Sequence, residues 1–135
     1  MNILLIKIYI NQGIIMTKND FEPSIIPYID ALLERKSINP VYLDISGLTS
    51  YADSLLISSA RSNRQVKAIA EHIERTLKKQ KIKILHLEGM SEGHWVLMDY
   101  GDVIIHIFYE PERSFYDLEG LWGDVDPVNL GDFEI

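Results

Sequence analysis

The chain has no cysteine among its 135 residues. Disulfide bonds, thiol catalysis and cysteine metal sites are therefore excluded, and the composition fits a reducing cytoplasm. Long hydrophobic runs are also lacking: the apolar stretch from Ile3 to Ile10 is interrupted by Lys7 and is too short to span a bilayer. It has neither the charged start nor the small-residue cleavage site of a signal peptide. We expect a cytoplasmic protein.

Signatures of catalysis are scarce as well. None of the four histidines has the i, i+4 partner of a helical zinc pair, and glycines 89 and 93 are too sparse for a phosphate loop. Aspartates at strand ends can hold Mg²⁺. However, no two aspartates at the predicted strand ends lie two residues apart on one strand face. Asp99 and Asp102 flank a turn, where aspartate is expected for local reasons. We therefore predict no catalytic residue, metal or cofactor. The alternative is a metal-dependent nucleotidyltransferase-like enzyme that uses Asp53 with Asp99 or Asp102.

The formal charge of −7 is unevenly distributed along the chain. Residues 61–83 include eight basic and two acidic residues, whereas residues 99–135 include ten acidic residues and one base, Arg113. An acidic protein gains little from releasing phosphate counterions, so wrapping nucleic acid is disfavoured as its main role. An acidic face favours a basic partner such as a nucleic-acid-binding protein, although a solvated surface with ordinary charge clustering explains the pattern equally well.

Hydrophobic periodicity predicts one domain with helices packed on a sheet. Helices are predicted over 23–36, 64–79 and 113–122, and strands over 41–45, 54–60, 82–87, 95–99 and 103–108. Two helix predictions rest on apolar stripes: Val66, Ile69, Ala70, Ile73 and Leu77 in the second, and Phe115, Leu118 and Trp122 in the third. The fold class is α/β (α+β), with a mixed sheet of about five strands flanked by helices. The helix between strands two and three predicts a parallel pairing of those strands.

Domain boundaries follow from composition. We interpret residues 1–15 as an N-terminal extension, and favour a start-codon artefact with Met16 as the true beginning. Residues 16–123 form the single domain. Residues 124–135 are predicted to be an acidic, mostly extended tail.

The stretch from Trp95 to Phe108 is predicted to form a hairpin at the centre of the fold. Two arms of β-branched and aromatic residues are joined by Asp99-Tyr100-Gly101-Asp102, in which glycine and aspartate suit a tight hairpin. Alternation places Trp95, Leu97 and Asp99 on one face of the first arm. His106 lies in an apolar arm and is interpreted as a core histidine, whereas Trp95 fits a packing or a partner-binding role equally well.

Several separated motifs resemble the ribosomal silencing factor family, also known as the Iojap-like proteins. The similarity covers about Ser24 to Asp124, and its most specific part is the Trp-Val-Leu-Met-Asp-Tyr-Gly-Asp run at 95–102. The chain departs from the family at Ala60-Arg61, where a glycine is usual, and at Ser54, where an aromatic is usual. The other matching segments are Ala52-Asp53, Leu56-Ile57-Ser58, Ser62-Asn63-Arg64-Gln65-Val66-Lys67-Ala68-Ile69-Ala70, Glu88-Gly89, Gly93-His94, His106-Ile107-Phe108, Arg113-Ser114-Phe115-Tyr116-Asp117-Leu118-Glu119 and Leu121-Trp122.

The resemblance implies a cytoplasmic, non-enzymatic protein that binds the large ribosomal subunit through the ribosomal protein L fourteen. Binding there would block joining with the small subunit sterically and repress translation under nutrient limitation. It also implies a nucleotidyltransferase-like topology without the catalytic acids, and a possible homodimer away from the ribosome. We expect little direct contact with ribosomal RNA.

The residues that we predict to bind the partner cluster around the hairpin tip. Trp95 and Leu97 would be apolar anchors, whereas Asp99, Tyr100 and Asp102 would offer carboxylates and a hydroxyl to arginine or lysine side chains of the partner.

Overall fold

The computed structural model describes residues 8–9, 15–16 and 20–131. A six-stranded mixed sheet runs through the molecule in the order β5-β6-β7-β4-β3-β8. Its strands are β3 (Ile38–Asp44), β4 (Ser54–Ala60), β5 (His86–Glu88), β6 (Trp95–Asp99), β7 (Val103–Tyr109) and β8 (Val128–Asn129). The helices are α1 (Ile26–Leu33), α2 (Asn63–Lys79), α3 (Glu110–Tyr116) and α4 (Leu118–Leu121). The predicted fold class, a mixed sheet flanked by helices, is confirmed.

The hairpin lies inside this sheet, as the sequence predicted. Strand β6 pairs antiparallel with β7, with Trp95 opposite Phe108 and Asp99 opposite Ile104. The turn closes where the N–H of Tyr100 donates to the carbonyl oxygen of Val103 over 2.9 Å, and Gly101 takes a φ of +93° that glycine adopts without strain. The two arms thus form a continuous ladder with an acidic tip.

One sheet face is covered by α1 and α2. The apolar stripe predicted for α2 is buried in full, against Val96, Met98 and Ile105 on the hairpin arms. Helix α2 is capped at its start, because the Oγ of Ser62 accepts the backbone N–H of Gln65 over 3.1 Å. This layer is the main core of the molecule.

The opposite face carries a second, smaller cluster. Its buried members are Val41, Leu43, Ile45, Ala52, Leu55, Ile57, Ile104 and Phe108. Among the described residues, short segments cover it: Leu118, Trp122 and Val125 pack on it from α4 and the chain that follows. We call this side of the sheet the second face.

The parallel partner of β4 differs from the sequence prediction. Strand β4 pairs parallel with β7, from Ser54 opposite Val103 to Ala60 opposite Tyr109. The hairpin β6–β7 therefore lies between β4 and β5, and β5 forms the edge of the sheet. Strand β5 is also shorter than predicted, because only His86–Glu88 pair with β6.

The C-terminal third differs in two further ways. The single helix predicted over 113–122 is broken at Asp117, which takes the left-handed conformation between α3 and α4. The segment predicted as an extended tail contributes β8 to the sheet, with Val128 opposite Tyr42, and buries Leu130 completely. Residues 128–130 therefore belong to the fold.

Two short strands precede the main sheet. Strand β1 (Ile8–Tyr9) pairs antiparallel with β2 (Ile15–Met16) as a separate two-stranded sheet. The remaining residues of the predicted 1–15 extension lie outside the described residues.

Candidate functional site: the second face of the sheet

Trp95 is held rigidly at the start of β6. Its indole Nε1–H donates to the Nδ1 of His106 on the neighbouring strand over 3.0 Å, and its ring stacks on Phe108 with centroids 4.9 Å apart. Tyr116 of α3 covers the same indole at 4.8 Å. The half-buried Trp95 is therefore both packed and partly available, which combines the two roles that the sequence left open.

His106 is the acceptor that fixes the indole. It is 6% exposed, as expected for a core histidine, and burial lowers its pKa to about 4. The imidazole is thus neutral near pH 7, and its Nδ1 accepts the indole proton while Nε2 carries the ring proton. A neutral, oriented His106 holds Trp95 in one geometry.

The break at Asp117 exposes large apolar side chains beside Trp95. Phe115 is 79% exposed, Tyr116 50% and Leu121 74%. Phe115 packs edge-on against Tyr116 at 5.1 Å, which continues the aromatic contacts from Trp95 outward. The left-handed Asp117 is stabilised locally, since its side chain accepts the backbone N–H of Gly120 over 3.2 Å. Phe115 and Tyr116 thus extend the aromatic cluster of Trp95 toward solvent, and Leu121 adds an exposed aliphatic side chain on α4.

Arg113 anchors these short helices to the sheet. Its Nε and Nη2 donate to the two carboxylate oxygens of Glu119 over 2.9 and 3.2 Å, and its Nη1 donates to the carbonyl oxygen of Ile38 over 3.0 Å and to the Oγ of Ser59 over 3.2 Å. Such a bidentate pair fixes both partners geometrically. Arg113 therefore connects α3, α4, β3 and β4, and sets where the exposed aromatic residues lie.

The predicted binding residues divide between the two faces. Trp95 and Leu97 pack half-buried on the second face, and Asp99 shares their side of β6 by alternation. The Oδ1 of Asp99 accepts the N–H of Gly101 over 2.7 Å, so one carboxylate oxygen stabilises the turn. Asp102 is exposed at the tip.

Tyr100 lies on the other side. It is 8% exposed and packs edge-on against Tyr28 of α1, with ring centroids 5.3 Å apart. Burial, followed by the charge of Glu74, raises the pKa of Tyr100. Its hydroxyl makes no hydrogen bond to any residue that the structure describes. The expectation that Tyr100 presents an accessible hydroxyl beside Trp95 does not fit this placement, because residue 100 alternates onto the face that the helices cover.

The acids at the strand ends include those of the alternative enzyme, Asp53 with Asp99 or Asp102, and also Asp44 at the end of β3. The side chain of Asp44 accepts both the N–H and the hydroxyl of Ser46. Asp53 and Asp102 are joined through their backbones, the N–H of Asp53 donating to the carbonyl oxygen of Asp102 over 2.9 Å. Among residues 20–131 and the two short strands, no group of three or more His, Asp or Glu side chains is placed to hold a metal ion. In the same part of the chain, no helix is both long and apolar enough to cross a membrane.

Sequence reasoning missed the exposed residues of α3 and α4. The predicted helix has Phe115 in its apolar stripe with Leu121 alongside, and such a stripe cannot show that the helix breaks in its middle. The signal that was available is the pair Asp117 and Gly120, since aspartate tolerates the left-handed region and glycine permits close approach. A Cβ at Gly120 would lie 2.2 Å from the Oδ2 of Asp117.

Taken together, the second face presents aromatic and aliphatic side chains flanked by exposed acids. Asp102 lies at the hairpin tip, Asp117 between α3 and α4, and Asp124 and Asp126 on either side of Val125. An apolar centre with a charged rim is typical of protein-binding surfaces, and an acidic rim favours basic partners. The fold and the site thus define an α/β domain with an exposed aromatic surface bordered by acids.

Comparison with known proteins identifies the family. The family described as "Ribosomal silencing factor during starvation" matches residues 18–134. The chain belongs to this family of ribosomal silencing factors, as its motifs predicted.

Individual relatives agree with this assignment. The ribosomal silencing factor RsfS of Halalkalibacterium halodurans is 40% identical over 102 residues, which are 76% of this chain and 87% of that protein. A crystal structure of a Chromobacterium violaceum protein superposes with a TM-score of 0.72 at 39% identity, covering 76% of this chain and 88% of that one. A more distant relative, the mouse "Mitochondrial assembly of ribosomal large subunit protein 1", is 29% identical over 53% of this chain and 33% of its own length. The names of these relatives describe roles connected with the ribosome and name no reaction.

Proposed function

We propose that this protein is a non-enzymatic, cytoplasmic silencing factor that binds the large ribosomal subunit through the ribosomal protein L fourteen. Bound there, it blocks joining with the small subunit sterically and represses translation when nutrients are limiting. The family supports the silencing role, and the name of the mouse relative connects a similar protein with the large subunit. The observation that carries the proposal is the exposed aromatic surface with its acidic rim on the second face.

The docking surface that we propose differs in part from the sequence prediction. It keeps Trp95, Leu97, Asp99 and Asp102, omits the buried Tyr100, and adds Phe115, Tyr116 and Leu121. Binding hot spots are typically aromatic or aliphatic side chains in a desolvated centre, surrounded by contacts that exclude water. Here Trp95 and Tyr116 supply a rigid aromatic centre, whereas Phe115 and Leu121 project farthest into solvent.

Basic side chains of the partner fit the rim. Exposed carboxylates contribute more to the rate and specificity of association than to its final affinity, because solvent screens them. We therefore expect binding to large subunits to weaken modestly with salt. Truncation of the apolar centre should weaken it strongly at every salt concentration.

Two leucines offer a matched test of this surface. Leu121 lies in α4 within the docking surface and is 74% exposed, whereas Leu85 precedes β5 and is 70% exposed. Neither change to serine removes much buried surface, so both variants should stay folded. We expect Leu121→Ser to weaken co-sedimentation with purified large subunits by about tenfold or more, and Leu85→Ser to leave it unchanged.

The blocking step needs a second measurement. Large and small subunits are mixed with increasing amounts of the protein, and joined ribosomes are quantified by sedimentation. Inhibition by the wild type and by Leu85→Ser, but not by Leu121→Ser, is the expected result. Full binding by Leu121→Ser would place the interface elsewhere, and binding of the wild type without inhibition would contradict the blocking mechanism.

The identity of the ribosomal partner is tested separately. Purified ribosomal protein L fourteen should bind the wild-type chain and lose affinity for Leu121→Ser. A homodimer that uses part of the same surface should dissociate in that variant and compete with L fourteen. If large subunits lacking L fourteen bind the protein normally, another component is the partner.

A further inference from the structure

A group of exposed cations lies at the C-terminal end of α2 and in the turn that follows. We call it the basic patch, and its members are Arg75, Lys78, Lys79, Lys81 and Lys83, all exposed. Helix α2 packs on the sheet face opposite the docking surface. The patch is therefore a second surface, distinct from the one described above.

Among the described residues no cation of the patch forms an ion pair, although Glu71 and Glu74 lie one turn before Arg75 and Lys78 on α2. Across residues 20–131, the ion pairs involve His72 with Glu34, His86 with Glu88 and Arg113 with Glu119, and none includes a member of the patch. Arg75 lies three and four residues before Lys78 and Lys79, a spacing at which like charges repel on a helix. The C-terminal helix dipole explains the lysines of the last turn, but the positive residues continue beyond the end of the helix.

Lys81 provides an independent observation. It follows the last turn of α2 with φ +65°, in the left-handed position that glycine fills most readily. The N–H of Lys81 bonds to the carbonyl oxygen of Lys78 over 2.9 Å, and the N–H of Ile82 bonds to that of Leu77 over 2.9 Å, which is the hydrogen-bond pattern of a Schellman cap. A cation thus occupies a position where backbone geometry favours glycine. Because the fold keeps Lys81 despite this backbone strain, we infer that the lysine side chain has a role of its own.

We propose that the basic patch binds the phosphodiester backbone of RNA. The choice of RNA rests on the proposed function, since a chain docked on a ribosomal subunit has an RNA-rich surface around it. It departs from the expectation of little direct RNA contact, which rested on the overall negative charge. Phosphate contacts depend on local cations, and these are separated here from the acidic second face.

The composition of the surface favours phosphate over a protein partner. Among the described residues, the exposed large hydrophobic side chains include none between Arg61 and Lys83. Protein interfaces are depleted in lysine and rely on aromatic or aliphatic anchors, which the patch lacks. Exposed arginine and lysine side chains on the end of α2 and in the turn after it can contact a row of phosphate oxygens without base contacts. We therefore expect binding that depends on salt and not on sequence.

Two variants of equal net charge test this location. The patch variant carries Arg75→Gln, Lys78→Gln and Lys79→Gln, and the control carries Arg35→Gln, Lys36→Gln and Arg61→Gln. All six side chains are exposed. At about 1.5 Å of helix rise per residue, Arg61 and Lys78 lie about 25 Å apart. That distance exceeds the screening length of about 8–10 Å in moderate salt.

The measurement is the affinity of the full chain for a short fluorescent RNA hairpin, at salt concentrations from about 0.05 to 0.2 M. Each phosphate contact contributes about 0.7–0.9 to the slope of log K against log salt. We expect the patch variant to lose about 2 from this slope and about tenfold in affinity at the lowest salt, with the control close to the wild type.

Three outcomes would overturn the proposal. Equal losses of RNA affinity in both variants would indicate that diffuse charge, and not the patch, binds RNA. A patch variant with unchanged affinity would show that the patch binds no RNA. A wild-type chain that does not bind RNA would show the same. Salt-sensitive self-association that only the patch variant loses, in a chain that ignores RNA, would instead show that a second copy's acidic surface is the partner. The Leu121→Ser variant keeps RNA binding if the two surfaces are independent, so failure of the docking proposal is distinguishable from failure of this one.

Discussion

Trp95 and His106 are connected across adjacent strands by a hydrogen bond of 3.0 Å from the indole Nε1 to the imidazole Nδ1. The bond exists only while His106 is neutral, because a protonated imidazole has no acceptor nitrogen. The buried histidine therefore links the orientation of the main aromatic residue to proton uptake. It also contributes to stability in a way that depends on pH.

We predict that the protein loses stability in mild acid because of His106. Its pKa is about 4 in the folded chain and about 6.5 when unfolded. Between these values the unfolded state binds more protons, so stability is fully present above about pH 6.5 and decreases as the pH falls toward 4. Above about pH 6.5, the lowered pKa of His106 contributes about 3 kcal/mol to the free energy of unfolding. Urea unfolding of the wild type and of His106→Gln from pH 7 to 4 should show a flatter profile for the variant.

The exposed His86 is the control for this experiment. His86→Gln should follow the wild-type profile, since that ring is exposed to solvent. A pH profile of His106→Gln as steep as that of the wild type would assign the acid sensitivity to other groups.

Loss of Arg113 should destabilise the fold and weaken the docking surface together. Its side chain is 11% exposed, and removal leaves the carboxylate of Glu119 without its bidentate donor. The carbonyl oxygen of Ile38 and the Oγ of Ser59 each lose one donor, although Ile38 still accepts from the hydroxyls of Ser58 and Ser59. We predict that Arg113→Gln lowers the free energy of unfolding by about 3 kcal/mol, at the low end for buried pairs because Glu119 is 30% exposed. Binding to large subunits should fall as well, since α3 and α4 lose their tether to β3 and β4.

The comparison is Arg75→Gln, which removes an exposed arginine that has no ion pair with residues 20–131. It should change stability by less than about 0.5 kcal/mol. If Arg113→Gln proved as stable as Arg75→Gln, the bidentate contact would not be what holds α3 and α4 in place.

Two glycines with similar backbone angles should respond differently to alanine. Gly89 has φ +88° and a Cβ there would lie 1.9 Å from the carbonyl oxygen of Trp95, whereas Gly47 has φ +81° and open space around it. Gly47→Ala should cost only conformational strain, about 1 kcal/mol. Gly89→Ala should cost at least about 3 kcal/mol, because strand β6 must shift as well. Thermal unfolding of both variants measures the difference.

Equal losses of stability in the two glycine variants would show that the structure relieves the clash at Gly89 at little cost in free energy. A loss of large-subunit binding by a folded Gly89→Ala variant, with Gly47→Ala unaffected, would add that the start of β6 positions Trp95 for docking.

The parts of the fold that sequence predicted correctly are those set by local chemistry. Helix α2 was predicted because five apolar residues repeat at helical spacing. The hairpin was predicted because Gly101 and its neighbours favour a tight turn between two β-rich arms. Each of these features involves residues that are close in sequence.

The errors concern residues that meet across the chain. The pairing of β4 with β7 instead of β5 depends on which strands fit beside each other, and periodicity does not encode that choice. Strand β8 is only two residues long and exists because β3 offers it a free edge. Asp117 is the exception, because it breaks the predicted helix by a local contact in which its side chain accepts the N–H of Gly120, a signal that hydrophobic periodicity does not register. The exposure of Phe115 and Leu121 followed from that break, and sequence periodicity could not indicate it.

Replacement of Lys81 by glycine should raise the stability of the chain while it weakens RNA binding by the basic patch. Glycine adopts φ +65° without a Cβ clash, so Lys81→Gly relieves left-handed strain of about 1 kcal/mol, part of which the greater entropy of unfolded glycine offsets. We predict a net gain of about 0.5 kcal/mol in urea unfolding and a lower salt dependence of RNA binding. The neighbouring Lys83→Gly lacks the left-handed geometry, so it should gain no stability while it loses a similar amount of salt dependence. A more stable Lys81→Gly variant with unchanged RNA binding would show that Lys81 contributes neither to stability nor to RNA binding. The contacts to phosphate would then come from α2 itself.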